Sequence, residues 1–319
     1  MADQLPATPT QIAALEAASG YARQSLAPGT LAGYRSDWAH FTTWCRAHGW
    51  QHLPAAPETV AAFLAALATS HGRSALSRRV TAIGHAHRIA GEAWDPKHPV
   101  IHHTLRGILR RHGAPPRLSA AITTDEIKRL IAPYDVTAAG VRDRALLLLG
   151  YAGALRRSEL AGIHREHLIF APRGLRLLLP RSKADQVGRG VEIGIPKGSH
   201  AETCPVRALE DWLVLSACAA GPVFRKVDRW GNIRAEALHP DAVRQILGRR
   251  AQAAGLEAET FERISPHGLR SGFITAAYAA GARDEEIMSH SRRKDYRTMR
   301  GYVRRAKLIM ESPAGRIGL

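Results

Sequence analysis

Apolar residues in the first third of the chain return at helical spacing. In LAGYRSDWAHFTTWCRAHG, Leu31, Tyr34, Trp38, Phe41 and Trp44 are three or four positions apart, so one face is apolar and an amphipathic helix ending near Gly49 is predicted. A second helix is expected over PETVAAFLAALATSHG. It opens on Pro57, at a first-turn position where a missing N–H costs nothing, and closes at Gly72. SALSRRVTAIGHAHRIAG predicts a third with Ser74 as N-cap, and HPVIHHTLRGILRRHG a fourth that stops at Gly113. Four such helices make a small all-α domain.

The period then breaks. GAPPRLSAA, residues 113–121, carries two prolines and no apolar repeat, the signature of an extended linker, and it offers Arg117 to a phosphate. Thr123 and Glu126 fit a capping box opening another helix, and VRDRALLLLGYAGA is a more buried one. From His167 to Pro196, short apolar runs are separated by PRG and by a polar loop ending in GRG, which predicts a three-stranded antiparallel sheet. CPVRALEDWLVLSA, HPDAVRQILGRRAQAAG and SPHGLRSGFITAAYAAG return to helix. The expected fold class is mainly α with a small antiparallel β-sheet: a tail over 1–19, a helical domain over 20–112, a linker over 113–121 and an α+β domain over 122–319.

Composition narrows the function. With 319 residues, 45% hydrophobic and 23% charged, the chain has material for about two cores and is not a disordered polyelectrolyte. A net charge of +17, spread over both halves, points to a polyanionic partner, nucleic acid before acidic membrane. No predicted helix sets a basic face against a wide Trp/Phe/Leu face, which argues against a membrane surface. The start MADQLPATPTQ lacks a basic, apolar leader, and no apolar run approaches ~18 residues, so a cytosolic, nucleoid-associated protein is expected. Cys45, Cys204 and Cys218 are far apart with no CxxC pair, and there is no P-loop and no paired metal-binding carboxylate motif; no cofactor or metal is expected.

Four segments of the second domain carry candidate chemistry. GALRRSELAGI holds Arg156, whose planar guanidinium can fork two hydrogen bonds onto phosphate oxygens, or which simply pairs with Glu159. RSKADQVGRG sets Lys183 beside a polar turn, from which it can reach into a groove or only protect a strand edge. SPHGLRSGF places His267 and Arg270 three apart, on one helix face and near a helix start, as a base and a cation for one phosphate or as a capping histidine. RTMRGYVRRAKL surrounds Tyr302 with Arg300, Arg304 and Arg305. A phenol that titrates near ~10 needs such cations to become a nucleophile, though the ring can also merely pack.

In order and context these segments resemble the tyrosine recombinases (phage-integrase family) over roughly residues 20 to 310, with HGLR and the helix after it the most diagnostic stretch. The resemblance implies a helical core-binding (SAM-like) domain followed by a tyrosine recombinase catalytic domain. It implies Tyr302 as nucleophile, forming a 3′-phosphotyrosyl bond, with Arg156, His267 and Arg270 on the scissile phosphate and Lys183 protonating the departing 5′ oxygen. Strand exchange would then run through a Holliday junction on double-stranded DNA, in a homotetramer without cofactor, with an accessory DNA-bending or directionality protein as a further partner. Arg78, Arg79, Arg117 and Arg304 are the expected DNA contacts. One position departs from the family pattern. The histidine or tryptophan usual nine residues before the tyrosine is here Arg293, and His290 lies twelve before; either can serve, and the ungapped register leans to Arg293. A type IB topoisomerase and a catalytically inactive DNA-binding regulator are the rival readings.

Overall fold

The computed structural model describes residues 25–132, 136–180, 190–293 and 295–306, with side chains through Val303, and a few isolated terminal positions. It divides into two compact units, Met1–Pro116 and Arg117–Leu319, and the division falls inside the proline-containing stretch.

The first unit is built from α1 (Pro28–Ala47), α2 (Pro57–Ala66), α3 (Arg73–Ile89) and α4 (Pro99–His112). Three of the four open on proline, whose fixed φ suits a first turn. α1 lies on α3 and α2 on α4. Phe41, Phe63, Leu64, Leu76 and Ile83 meet in the middle without exposure, each such side chain contributing ~1.5–3 kcal/mol by leaving water. α2 ends at Ala66, short of Gly72, because the chain closes hydrogen-bonded turns from Leu67 to Ser70 and His71. Gly72 rather than Ser74 caps α3, and no side chain bonds that end.

Polar groups in this unit also face inward. His87 is fully buried, with Nδ1 donating to the Ile83 carbonyl and Nε2 accepting from the Ala55 N–H, at 2.8 Å each. Asp37, 3% exposed, accepts from Arg78 Nε at 2.6 Å and has Arg79 Nη1 at 3.8 Å. Arg79 also meets His40 and His71. Its side chain is 9% exposed, so its guanidinium points into the unit instead of outward as a phosphate contact would. Arg78 keeps half its surface in solvent while holding Asp37.

The second unit contains β1 (Leu118–Ser119), α5 (Thr124–Ile131), α6 (Ala138–Ala152), α7 (Arg157–Ala161), β2 (Leu168–Ala171), β3 (Gly174–Leu179), β4 (Val191–Pro196), α8 (Pro205–Leu215), β5 (Arg225–Val227), β6 (Ile233–Ala237), α9 (Pro240–Ala253), β7 (Glu262–Arg263), α10 (Pro266–Ala279), α11 (Asp284–Ser291) and α12 (Tyr296–Ala306). Thr123 caps α5 with the expected reciprocal bonds to Glu126. α6 is buried nearly all round from Gly140 to Gly150 and packs along α8. β2, β3 and β4 form the antiparallel sheet that the apolar runs predict, with Leu175 opposite Ile195 and Leu177 opposite Ile193. Those four side chains enter the core, while Arg176 and Glu192 pair on the outer face.

Two further pairings were not legible in the sequence. β5 and β6 make a short hairpin, and β1, inside the segment expected as linker, pairs in parallel with β7. Strands of two to five residues are too short for an alternating pattern to stand out.

Candidate active site

Four elements bring the candidate side chains together, and the first is the end of α6. There the chain turns through Gly153 and Ala154, with Ala154 at φ 45°, and Arg156 stands at the N-cap of α7. Glu159 folds back across this start. Its carboxylate accepts from the Arg156 backbone N–H at 2.9 Å and from the Arg156 guanidinium. The arginine side chain remains 23% exposed, against 2% for the carboxylate. Burial alone would push the Glu159 carboxyl up, but Arg292 and Arg156 outweigh it and hold it below the ordinary value.

The second element is α10. Its start lies against the backbone of residues 120–122: a β-carbon at Gly268 would come within 2.4 Å of the Ala120 carbonyl oxygen, and one at Gly272 within 1.7 Å of that of Ile122. Only glycine permits this approach, and the Ile122 N–H bonds the Gly268 carbonyl at 3.1 Å. His267 and Arg270 are thereby set in place. Arg270, 1% exposed, donates through Nη1 to the Ala154 carbonyl at 2.7 Å and through Nη2 to that of Ser291.

α11 and α12 supply the rest. α12 is seated by Met299 and Val303 in a small cluster with Ile274 and Ile287, and this turns Tyr302 toward α10. The Tyr302 hydroxyl lies 2.7 Å from His267 Nε2. Arg293 sits over the Tyr302 ring with its guanidinium carbon 4.6 Å from the centroid, and its Nε and Nη2 are buried without a hydrogen-bond partner. Burial, then Arg293, Arg270 and Arg156, push His267 down to about 4. The imidazole is therefore neutral near pH 7 and able to accept the phenol proton. Burial and the neighbouring cations Arg156, Arg292 and Arg293 likewise lower Arg270. Four guanidiniums thus gather around the site, two of them, Arg156 and Arg292, paired with the one carboxylate.

Residues 120–308 match the family model described as the phage integrase family. The chain belongs to that family. Among curated relatives, it is 35% identical over 298 residues to an integrase/recombinase xerD homolog of Selenomonas ruminantium, an alignment covering 92% of this chain and 86% of that protein. It is 34% identical over 184 residues to the tyrosine recombinase XerC of Pelotomaculum thermopropionicum, where it spans 55% of either length. Among solved structures, a lambda integrase dimer bound to a COC′ core site superposes with a TM-score of 0.59 at 18% identity, covering 89% of this chain and 74% of that one. The post-cleavage complex of the XerH recombinase with its difH substrate gives 0.59 at 18%, covering 81% and 71%. At such identities the structural likeness speaks to the fold.

Of the two candidates in this phage integrase family domain for the position usually held by histidine or tryptophan, Arg293 lies on the Tyr302 ring. His290 turns the other way, its Nε2 on the Ala152 carbonyl at 2.8 Å and its ring stacked on Phe273 at 4.6 Å. Of the cations flanking Tyr302 in sequence, Arg300 is engaged elsewhere, with Asp284 and the Tyr296 hydroxyl; the cation on the tyrosine ring comes from the preceding loop. Lys183, in the β3–β4 connection, and the Arg304 side chain lie outside the described residues. Arg117 is exposed. Sequence reasoning passed over Arg292 and treated Glu159 only as a bland partner of Arg156. The three-residue spacing of Glu159 from Arg156 was the available signal; Arg292 had none, since its partners are three backbone carbonyls and the distant Glu159 carboxylate.

Proposed function

We propose that this chain cuts and rejoins DNA at specific sites with Tyr302 as its nucleophile. The observation that carries the reading is the Tyr302 hydroxyl on the neutral His267 imidazole inside a group of arginines. His267 takes the phenol proton, and the phenolate oxygen bonds to a DNA phosphorus while the bond from that phosphorus to the 5′ oxygen breaks. Lys183 gives the leaving oxygen its proton. Arg156, Arg270 and Arg293 offset the charge that builds on the phosphoryl oxygens, so catalysis is positioning and electrostatics. The unpartnered donors of Arg293 support this role, because a buried charged N–H without an acceptor costs more than the ~1–3 kcal/mol of a neutral one, and a phosphate oxygen would satisfy it.

The 3′-phosphotyrosyl bond keeps the energy of the broken linkage, and a 5′-hydroxyl from a second duplex reverses the step on a new partner. Lambda integrase has been captured as a dimer on a core site and as a tetramer on a Holliday junction, and we carry the tetramer over to this chain. Its net charge of +17 suits a DNA partner held in large part through phosphates, with Arg117 and the exposed part of Arg78 among the contacts. Among the described residues no helix is long and apolar enough to cross a membrane.

The test uses nicked suicide duplexes tiled across the DNA flanking the gene. Wild-type protein is expected to give a protein–DNA band that survives SDS, and Tyr302→Phe to give none while still shifting the duplex in a native gel. An adduct that persists in Tyr302→Phe, or a wild-type protein that binds but never traps, overturns the reading.

A further inference from the structure

The assignment of Tyr302 gives no part to Arg292, a buried cation at the edge of the site. Arg292 has 4% of its side-chain surface exposed and sits at φ 53°, a left-handed conformation more natural to glycine. Its guanidinium reaches four acceptors. Nη1 donates to the carbonyls of Gly153 at 3.1 Å and His290 at 2.8 Å, and Nη2 to the Ala154 carbonyl at 2.8 Å and Glu159 Oε2 at 3.0 Å. None of these bonds goes to His267 or Tyr302.

Two of these acceptors also hold a charged group of the site. The Ala154 carbonyl also receives Arg270, and Glu159 holds Arg156 at both backbone and side chain. The residue that follows Arg292 is Arg293, on the Tyr302 ring. A non-glycine residue at positive φ, with its charge buried, persists where its surroundings over-determine it. Here the surroundings are the arrangement of the other three arginines.

We infer that Arg292 is a positioning residue, a buried clamp that ties the Gly153–Ala154 turn and Glu159 to the end of α11 and so fixes Arg156, Arg270 and Arg293 around His267 and Tyr302. The inference rests on the Tyr302 reading for its meaning but can be tested apart from it. Arg292→Lys keeps the charge and loses the fork, since a single ammonium cannot serve carbonyls on two sides together with a carboxylate. Arg292→Gly relaxes the backbone and removes the cation.

The first readout needs no DNA. The His267 ring faces Arg156 before α7, Arg270 on its own helix, Arg293 from the loop and Tyr302 from α12. If Arg292 holds those cations in place, NMR titration of His267, assigned with His267→Gln, moves up from about 4 in both variants, while burial, the larger cause, still holds it below the ordinary 6.5. An unchanged titration in folded Arg292→Lys overturns the inference; should Arg292→Gly fail to fold, the lysine variant carries the test. The second readout is single-turnover adduct formation on the suicide duplex. Arg292→Lys is expected to lose roughly 100-fold in rate constant, the scale of a small misplacement of reacting groups, with the half-saturating DNA concentration within about threefold of wild type. A rate within about threefold of wild type, or a loss that appears only as weaker DNA binding, contradicts it. If wild-type protein never traps DNA, the Tyr302 reading fails, and the His267 titration still decides the role of Arg292.

Discussion

Two of the buried carboxylates that arginines surround, Asp37 in the helical unit and Glu159 in the second, do different work. Asp37 in the helical unit has Arg78, itself half in water, and Arg79, whose remaining bonds go to His40 and His71. Around Glu159 stand Arg156 and Arg292, with Arg270 joined to them through the Ala154 carbonyl and Arg293 one residue further on. In the first group the carboxylate and two histidines take up the cations, leaving one buried donor, Arg79 Nε, without a partner; in the second more positive charge is gathered, and Arg292 Nε and two donors of Arg293, on the Tyr302 ring, remain unpartnered. A surplus of buried cation is costly to fold, and it is useful where a phosphoryl group with growing negative charge arrives.

If that contrast is sound, damage to the two groups should separate into rate and stability. The largest effect is expected from Arg270→Lys. A lysine cannot bridge the Ala154 and Ser291 carbonyls as the guanidinium does, so the adduct rate should fall about 100- to 1000-fold in single-turnover trapping. DNA affinity in a native gel should stay within a few-fold. Asp37→Ala is expected to do the opposite. It leaves the buried Arg79 without its carboxylate and should destabilise the helical unit by about 3 kcal/mol in urea unfolding, while the adduct rate per folded molecule holds. Loss of rate without loss of stability at Asp37 would erase the distinction.

A smaller effect sharpens it through pH. Since His267 is pushed down to about 4, trapping should be flat on acidification from neutrality through the ordinary histidine value of 6.5 and decline only toward about 4. A site governed by an unperturbed histidine would lose half its rate near ~6.5. The sign for stability runs the same way. The unfolded histidine takes up its proton at higher pH than the folded one, so this group's contribution is complete above its ordinary pKa and is lost as pH falls through the window from 6.5 to about 4. Rates therefore need to be normalised to folded protein across that range.

The two groups were not equally visible from sequence. Helical periodicity announced α1 to α4, and the alternating runs announced β2 to β4, because burial of one face is written locally at the period of the element. RRSEL, HGLR and RGY likewise marked three of the candidate site's segments by their local composition. Partner choice over distance left no comparable trace. Arg79 and Arg78 are neighbours with the same chemistry, yet one turns inward because Asp37 and two histidines wait there. Arg300 looks in sequence like a cation for Tyr302, but Asp284 and Tyr296 take it. Arg292 serves carbonyls that carry no sequence signature at all.

The most direct test of the convergence on Tyr302 is to digest the trapped protein–DNA adduct and locate the modified residue by peptide mass spectrometry. The account predicts a nucleotide joined through its 3′ phosphate to the oxygen of Tyr302. A nucleotide on Tyr296, the first residue of the same helix, or a linkage through a 5′ phosphate, would contradict it.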